Sequence, residues 1–137
     1  MIHITRKETF NAAHRLFRED YSDIRNEEVF GKCSNPNWHG HNYTLYVTVG
    51  GEMDAETGFV MNLKILSNLI QEHVLEQLDH KNINIEVAFM KGKLASTENL
   101  AIAIWNQLDA PVRKQGAHLI KVALHETDNN YVEYYGK

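Results

Sequence analysis

The feature that most limits what this chain can fold into is the run His41-Asn-Tyr-Thr-Leu-Tyr-Val-Thr-Val-Gly50, in which side chains alternate in character at every step. A period of two belongs to a β-strand with one face against a core. Tyr43, Leu45, Val47 and Val49 make the inner face, and Asn42, Thr44, Tyr46 and Thr48 make the outer one. His39 and His41 share the inner parity, so the core-facing row ends in two imidazoles. Gly50-Gly51, then Asp54 to Gly58, supply a turn.

The other elements are read around this strand. Residues 2 to 10 fit a first strand, although their alternation is imperfect. Residues 15 to 38 are rich in polar groups and carry Asn26, Gly31 and the turn signal Asn35-Pro36-Asn37, so most of them are expected to be a long functional loop. Leu63, Leu66, Ile70, Val74 and Leu78 recur at helical spacing over residues 62 to 78, with Asn62 as a cap. A second helix is expected over about 97 to 108, with Leu100, Ile104, Trp105 and Leu108 on one face and Ser96 or Thr97 at its start. Strands follow at roughly 118 to 126 and 131 to 135. In the first of these, Ile120, Val122 and Leu124 form the apolar face and Glu126 continues the same register. The order strand, strand, helix, helix, strand, strand predicts an α+β fold: a four-stranded antiparallel sheet with two helices on one face. Its open edges predict assembly into a larger closed sheet.

Composition bounds the class. At 137 residues the chain is expected to be one domain, residues 1–137, able to bury its own core. Hydrophobic content of 43% and charged content of 23% are those of a globular protein, and two prolines and eight glycines leave no linker. One cysteine excludes an internal disulfide, the N-terminus enters a strand pattern without an apolar signal segment, and no apolar run approaches a membrane span. The expected setting is a reducing cytoplasm with no membrane partner. A net charge of −4 without a basic stripe argues against nucleic acid.

Taken singly, each histidine is more often an ordinary packing or surface residue. His39 and His41, two apart on one strand face, can reach a single metal ion, and His14 is the best-placed third ligand. Three neutral imidazoles with a fourth position open form the ligand set of a catalytic zinc. His3, His73, His118 and His125 show no comparable setting. Cys33 lies in a polar, turn-rich loop six residues before His39, where a thiol near a metal serves as base or nucleophile. Asp79-His80 reads equally as a helix end or as a carboxylate charging an acid/base imidazole. Glu126 either pairs with a nearby cation or accepts two parallel hydrogen bonds from a flat amidine-like edge, such as that of a guanine or pterin ring. Glu98 either favours its helix N-terminus or faces a pocket.

Five motifs in order carry a resemblance: Cys33-x5-His39-Gly-His41-Asn42-Tyr43, Asp54-x-x-Thr57-Gly58-x-Val60, Leu78-Asp79-His80-Lys81-Asn82, Ser96-Thr97-Glu98-Asn99 and Glu126-Thr127-x-Asn129-Asn130. Over nearly the whole chain, Phe10 to Tyr134, it resembles the 6-pyruvoyltetrahydropterin synthase family, which includes the 6-carboxytetrahydropterin synthases. The resemblance implies a T-fold, with three subunits closing a barrel and two trimers stacking into a hexamer. It implies Zn2+ on His14, His39 and His41, Cys33 as catalytic thiol, and Asp79 and His80 supporting it from a neighbouring subunit. Glu126 matches the carboxylate that anchors the pterin, Thr97 and Ser96 match ring-contacting residues, and Glu98 is a further pocket candidate. The implied substrate is 7,8-dihydroneopterin triphosphate, and the implied chemistry is that of a lyase.

Two branches share this machinery. One makes 6-pyruvoyltetrahydropterin for tetrahydrobiopterin; the other makes 6-carboxytetrahydropterin for queuosine and releases acetaldehyde. The five residues between Cys33 and His39 resemble the pyruvoyl branch. Trp38 and Ser96 depart from its common pattern, Trp38 beside a zinc ligand. A non-catalytic pterin-binding zinc protein on the same fold has no use for Cys33, Asp79 and His80. Aldolases and cyclohydrolases of this fold lack the His-Gly-His pair. Lys32, Arg15, Arg18 and Lys81 are the cations available to a triphosphate.

Overall fold

The computed structural model describes residues 1–137. Two long strands form its frame: β1 (Ile2–His14) and β2 (His39–Gly51) run antiparallel in unbroken register from Ile2 opposite Gly51 to His14 opposite His39. β2 then pairs with β4 (His118–His125), and β4 with β5 (Tyr131–Tyr134), all antiparallel. The sheet has five strands in the order β3-β1-β2-β4-β5, not the expected four. The addition is β3 (Lys81–Asn82), two residues set parallel to Ala12 and Ala13. So short a strand leaves no alternation to detect, and its pairing is fixed by His80 N–H donating to the Asn11 carbonyl at 2.6 Å.

The alternation of β2 survives intact, since Tyr43, Leu45, Val47 and Val49 are all buried. In β4 it breaks. Leu119, Val122 and Leu124 enter the core, whereas Ile120, expected there, does not. The register slips between Thr48 and Val49, which face Lys121 and Leu119, so Ile120 is the extra residue of a β-bulge. A bulge inverts parity on one side of itself, and periodicity alone does not locate it.

Helices cover the inner face. α2 (Leu63–Ile70) continues through a wider π turn at Gln71–Leu75 into α3 (Glu76–Leu78), and the Asn62 side chain accepts from Lys64 N–H at its start. Leu66, Ile70, Val74 and Leu78 are sealed against the sheet, while Leu63, in the first turn, is exposed. α4 (Ile83–Glu86) is a single turn capped by Asn82. α5 (Thr97–Arg113) outlasts its expected end because Val112 extends the buried row of Leu100, Ile104 and Leu108 by one more turn.

The expected long loop is the largest departure. It contains α1 (Asp23–Phe30), started by the Ser22 hydroxyl accepting from Arg25 N–H, and a 3-10 turn at Gly31–Ser34. Only Asn26 of α1 is buried, so the helix has no apolar stripe to betray it. Asn26 is held by Arg18, whose N–H it accepts and whose carbonyl it bonds.

Candidate active site

The register of β1 against β2 assembles the three histidines that could hold a metal ion. Phe10, Ala12 and His14 occupy the inner face of β1, and His14 ends that strand directly opposite His39, the first residue of β2. His41 follows one inner step along, opposite Ala12. Ring centroids lie 4.5 Å apart for His14 and His39, 5.1 Å for His14 and His41, and 5.0 Å for His39 and His41. One donor nitrogen from each lies within 4.8 Å of the others. Tetrahedral zinc, with bonds near 2 Å, places its nitrogens roughly 3.4 Å apart.

The chemistry of these nitrogens fits a cation. His14 Nδ1–H donates to the Ala95 carbonyl at 2.7 Å, which fixes the tautomer and turns the Nε2 lone pair inward. His14 Nε2, His39 Nδ1 and His41 Nε2 are buried without any protein partner. Such orphans are costly and rare, and three converging on one point are what a metal site presents. Burial lowers the pKa of all three rings below the ordinary histidine value, which keeps the lone pairs free. Gly40 lets the strands close here, because a Cβ at that position would sit 3.3 Å from the Ala12 carbonyl oxygen. Trp38 turns the chain into β2 with a left-handed φ of 69°, its N–H held by the Asn35 carbonyl at 3.0 Å.

Beside the histidines lies a cavity of about 290 Å³ lined by Cys33, Ser96, Thr97, Glu98 and Glu126, with Leu16, Asn130 and Val132 completing its wall. Three elements meet there. The 3-10 turn supplies Cys33, whose carbonyl accepts from Leu16 N–H at 2.8 Å. The start of α5 supplies the next three: Ser96 is the cap, its hydroxyl accepting from Asn99 N–H, which frees the Thr97 hydroxyl to donate to Glu126 Oε2 at 2.7 Å. Continuing the β2–β4 register past Thr44 and His125 places Glu126 opposite Tyr43, on the inner side. Glu126 also approaches the metal-ligating rings, with Oε1 3.6 Å from His41 Nε2 and Oε2 3.8 Å from His14 Nε2. Glu126 thus joins a cavity that holds a thiol and polar acceptors to the three-nitrogen cluster beside it, which suits a ligand with a flat hydrogen-bonding edge and an oxygen-bearing side chain.

Asp79 and His80 do not line this cavity. Asp79 is pinned by Asn11 N–H, which donates to Oδ1 at 2.9 Å and holds the carboxyl below its usual range. His80 Nδ1 lies 3.1 Å from that same oxygen, with its side chain 82% exposed and a left-handed φ of 62°. Both side chains of the pair are open to solvent. Of the cations, Arg18 is engaged by both oxygens of Asp20, while Arg15 donates to the Ser34 carbonyl at 2.7 Å beside Lys32 on the outer wall of the same turn. One further polar group was hidden in the sequence: Tyr43, read there as core, carries a buried hydroxyl with no protein partner. Its parity gave the burial; nothing in the pattern gave the orphan.

No helix is long and apolar enough to cross a membrane. The sequence profile of 6-pyruvoyl tetrahydropterin synthase matches residues 3–137. The 6-pyruvoyl tetrahydrobiopterin synthase of Pongo abelii is 47% identical over 134 residues, covering 98% of this chain and 91% of the relative. The solved 6-pyruvoyl tetrahydropterin synthase of Caenorhabditis elegans superposes with a TM-score of 0.92 at 38% identity, over 99% of this chain and 96% of that one. The 6-carboxy-5,6,7,8-tetrahydropterin synthase of Bacillus subtilis is more distant, 29% identical over 78% of this chain and 73% of its own. The α+β sheet-and-helix arrangement is therefore the T-fold, and with matches that span the histidine cluster and the cavity beside it, the chain belongs to the 6-pyruvoyl tetrahydropterin synthase family.

Proposed function

We propose that this protein is a 6-pyruvoyltetrahydropterin synthase, a lyase that converts 7,8-dihydroneopterin triphosphate to 6-pyruvoyltetrahydropterin with loss of triphosphate. The observation that carries this reading is the convergence of three orphaned imidazole nitrogens, two of them 3.6 and 3.8 Å from Glu126 oxygens, with Glu126 lining a cavity that also holds Cys33. His14, His39 and His41 would hold the ion, and an all-nitrogen set with room for another ligand favours Zn2+. Bound there, zinc supplies Lewis-acid polarisation of the substrate's side-chain oxygens.

The chain's own residues do the rest. Glu126 accepts two parallel hydrogen bonds from the amidine edge of the pterin, and the Thr97 hydroxyl keeps Oε2 in line for them. Ser96 and Glu98 flank the ring at the start of α5. Cys33, on the cavity wall, takes and returns the side-chain protons. The ring gains the hydrogens that the side chain gives up, so no external oxidant is needed. Asp79 and His80 support the thiol from a neighbouring subunit, consistent with their outward placement. β3 and β5 leave both sheet edges open, which suits closure of a barrel by three subunits and a hexamer from two such rings. A free thiol at the centre of the site suits a reducing cytoplasm.

The pyruvoyl product is favoured over the 6-carboxy product by the nearer relatives and by the five-residue gap between Cys33 and His39. Incubating the purified protein with 7,8-dihydroneopterin triphosphate and identifying products by mass spectrometry tests this. 6-Pyruvoyltetrahydropterin and triphosphate are expected; 6-carboxytetrahydropterin with acetaldehyde would reassign the branch, and bound but unaltered pterin would make the protein a binder.

A further inference from the structure

Four buried side-chain polar atoms have no hydrogen-bond partner, and three of them are the metal-facing nitrogens of His14, His39 and His41. The fourth is the Tyr43 hydroxyl, in a residue only 1% exposed. It belongs to the same place. Tyr43 is the next inner residue of β2 after His41, its ring 5.6 Å from that of His41 and 6.1 Å from that of His14, edge-on to both. A parallel stack on Phe10, with centroids 4.9 Å apart and planes 10° off, fixes the ring, so the direction of its O–H is set by packing and not by a polar partner. Glu126 faces it across the sheet, but the Thr97 hydroxyl already donates to that carboxylate. A phenol hydroxyl carries its proton at neutral pH and has one hydrogen to donate.

A donor of this kind is retained where a guest accepts from it. We propose that Tyr43 is a positioning residue whose hydroxyl donates to the oxygen ligand that completes the three-histidine centre, water in the resting protein and a side-chain hydroxyl of the substrate during turnover. The inference rests on the metal site proposed above. It assigns Tyr43 a role in holding that ligand's orientation, which the Phe10 stack makes rigid.

Tyr43→Phe removes the hydroxyl and keeps the ring and its stack. Cobalt(II) is the probe: its affinity is read by competition with a chelator, its coordination by the visible ligand-field bands, and folding by the Tm of the metal-free protein. The expected result is one cobalt per chain in both proteins, with Tyr43→Phe weakened about tenfold and its bands shifted. Its metal-free Tm is expected to be no lower than wild type, because an unpartnered hydroxyl has been removed. Phe10→Leu, which loosens the stack and leaves the hydroxyl, is expected to lower Tm while weakening cobalt and shifting the bands less than Tyr43→Phe does. Adding the dihydroneopterin side-chain diol should shift the wild-type bands more than those of Tyr43→Phe; equal shifts would restrict the donor to water. Identical affinity and bands in Tyr43→Phe and wild type, or a loss matched by Phe10→Leu, would overturn the inference. If wild type itself bound no cobalt, the three-histidine reading would fail first, and this one with it.

Discussion

Cys33 is set apart from the metal cluster by the structure, since the converging nitrogens come from three histidines and the thiol sits on the neighbouring cavity wall. Replacing it with Ala should therefore cut turnover by about 10²-fold or more while zinc stays near one per chain by elemental analysis. Zinc lost along with activity would make the sulfur a ligand. The histidines give a pH dependence whose sign follows from burial. Their folded pKa values lie below the ordinary 6.5, so below that pH the unfolded chain takes up protons that the buried rings refuse. The Tm of metal-free protein is thus expected to hold above about pH 6.5 and to fall as the pH drops through it. Scans across that range check this, and a rise on acidification would contradict it. At this scale much was legible: parity alone put His39 and His41 on the inner row. His14 was legible as the third candidate and joins them in the structure, but its distance from the pair depends on the register between β1 and β2, which the sequence did not show.

That register is a property of the strand pair, and Gly40 is its most exposed weakness. Gly40→Ala adds a Cβ against the Ala12 carbonyl, a backbone atom that moves only if β1 and β2 part. A loss of stability is expected, together with weaker metal binding, both measurable by denaturation and chelator competition. Unchanged metal affinity would show that the ligands tolerate strand separation. Elements with a strong apolar period, β2, α2 and α5, were readable from their side chains. α1 and β3 were not: α1 buries one asparagine and β3 is two residues long, so neither carries a pattern. The bulge at Ile120 escaped for a different reason, since it changes which residues face inward without changing composition.

For the whole molecule, the outward Asp79–His80 pair predicts sites shared between chains. Cys33→Ala and His80→Ala proteins, each inactive, should recover activity when unfolded together and refolded, at about a quarter of the sites if subunits mix at random. No recovery would place the whole acid/base set in one chain. The T-fold itself was legible through motif order, because five separated segments had to match in sequence.

One feature of the strand pair reaches beyond catalysis. His14 is the last residue of β1 and His39 the first of β2, so an ion held by them would act as a rivet at the open corner of the sheet, cinching the neck of the segment 15–38. Stripping it should let that corner fray, with amide exchange quickening at residues 12–14 and 39–41 while Leu45 and Val47 stay protected. The thiol, carried inside the cinched segment, would then lose its bearing on the cavity before the rest of the molecule loosens.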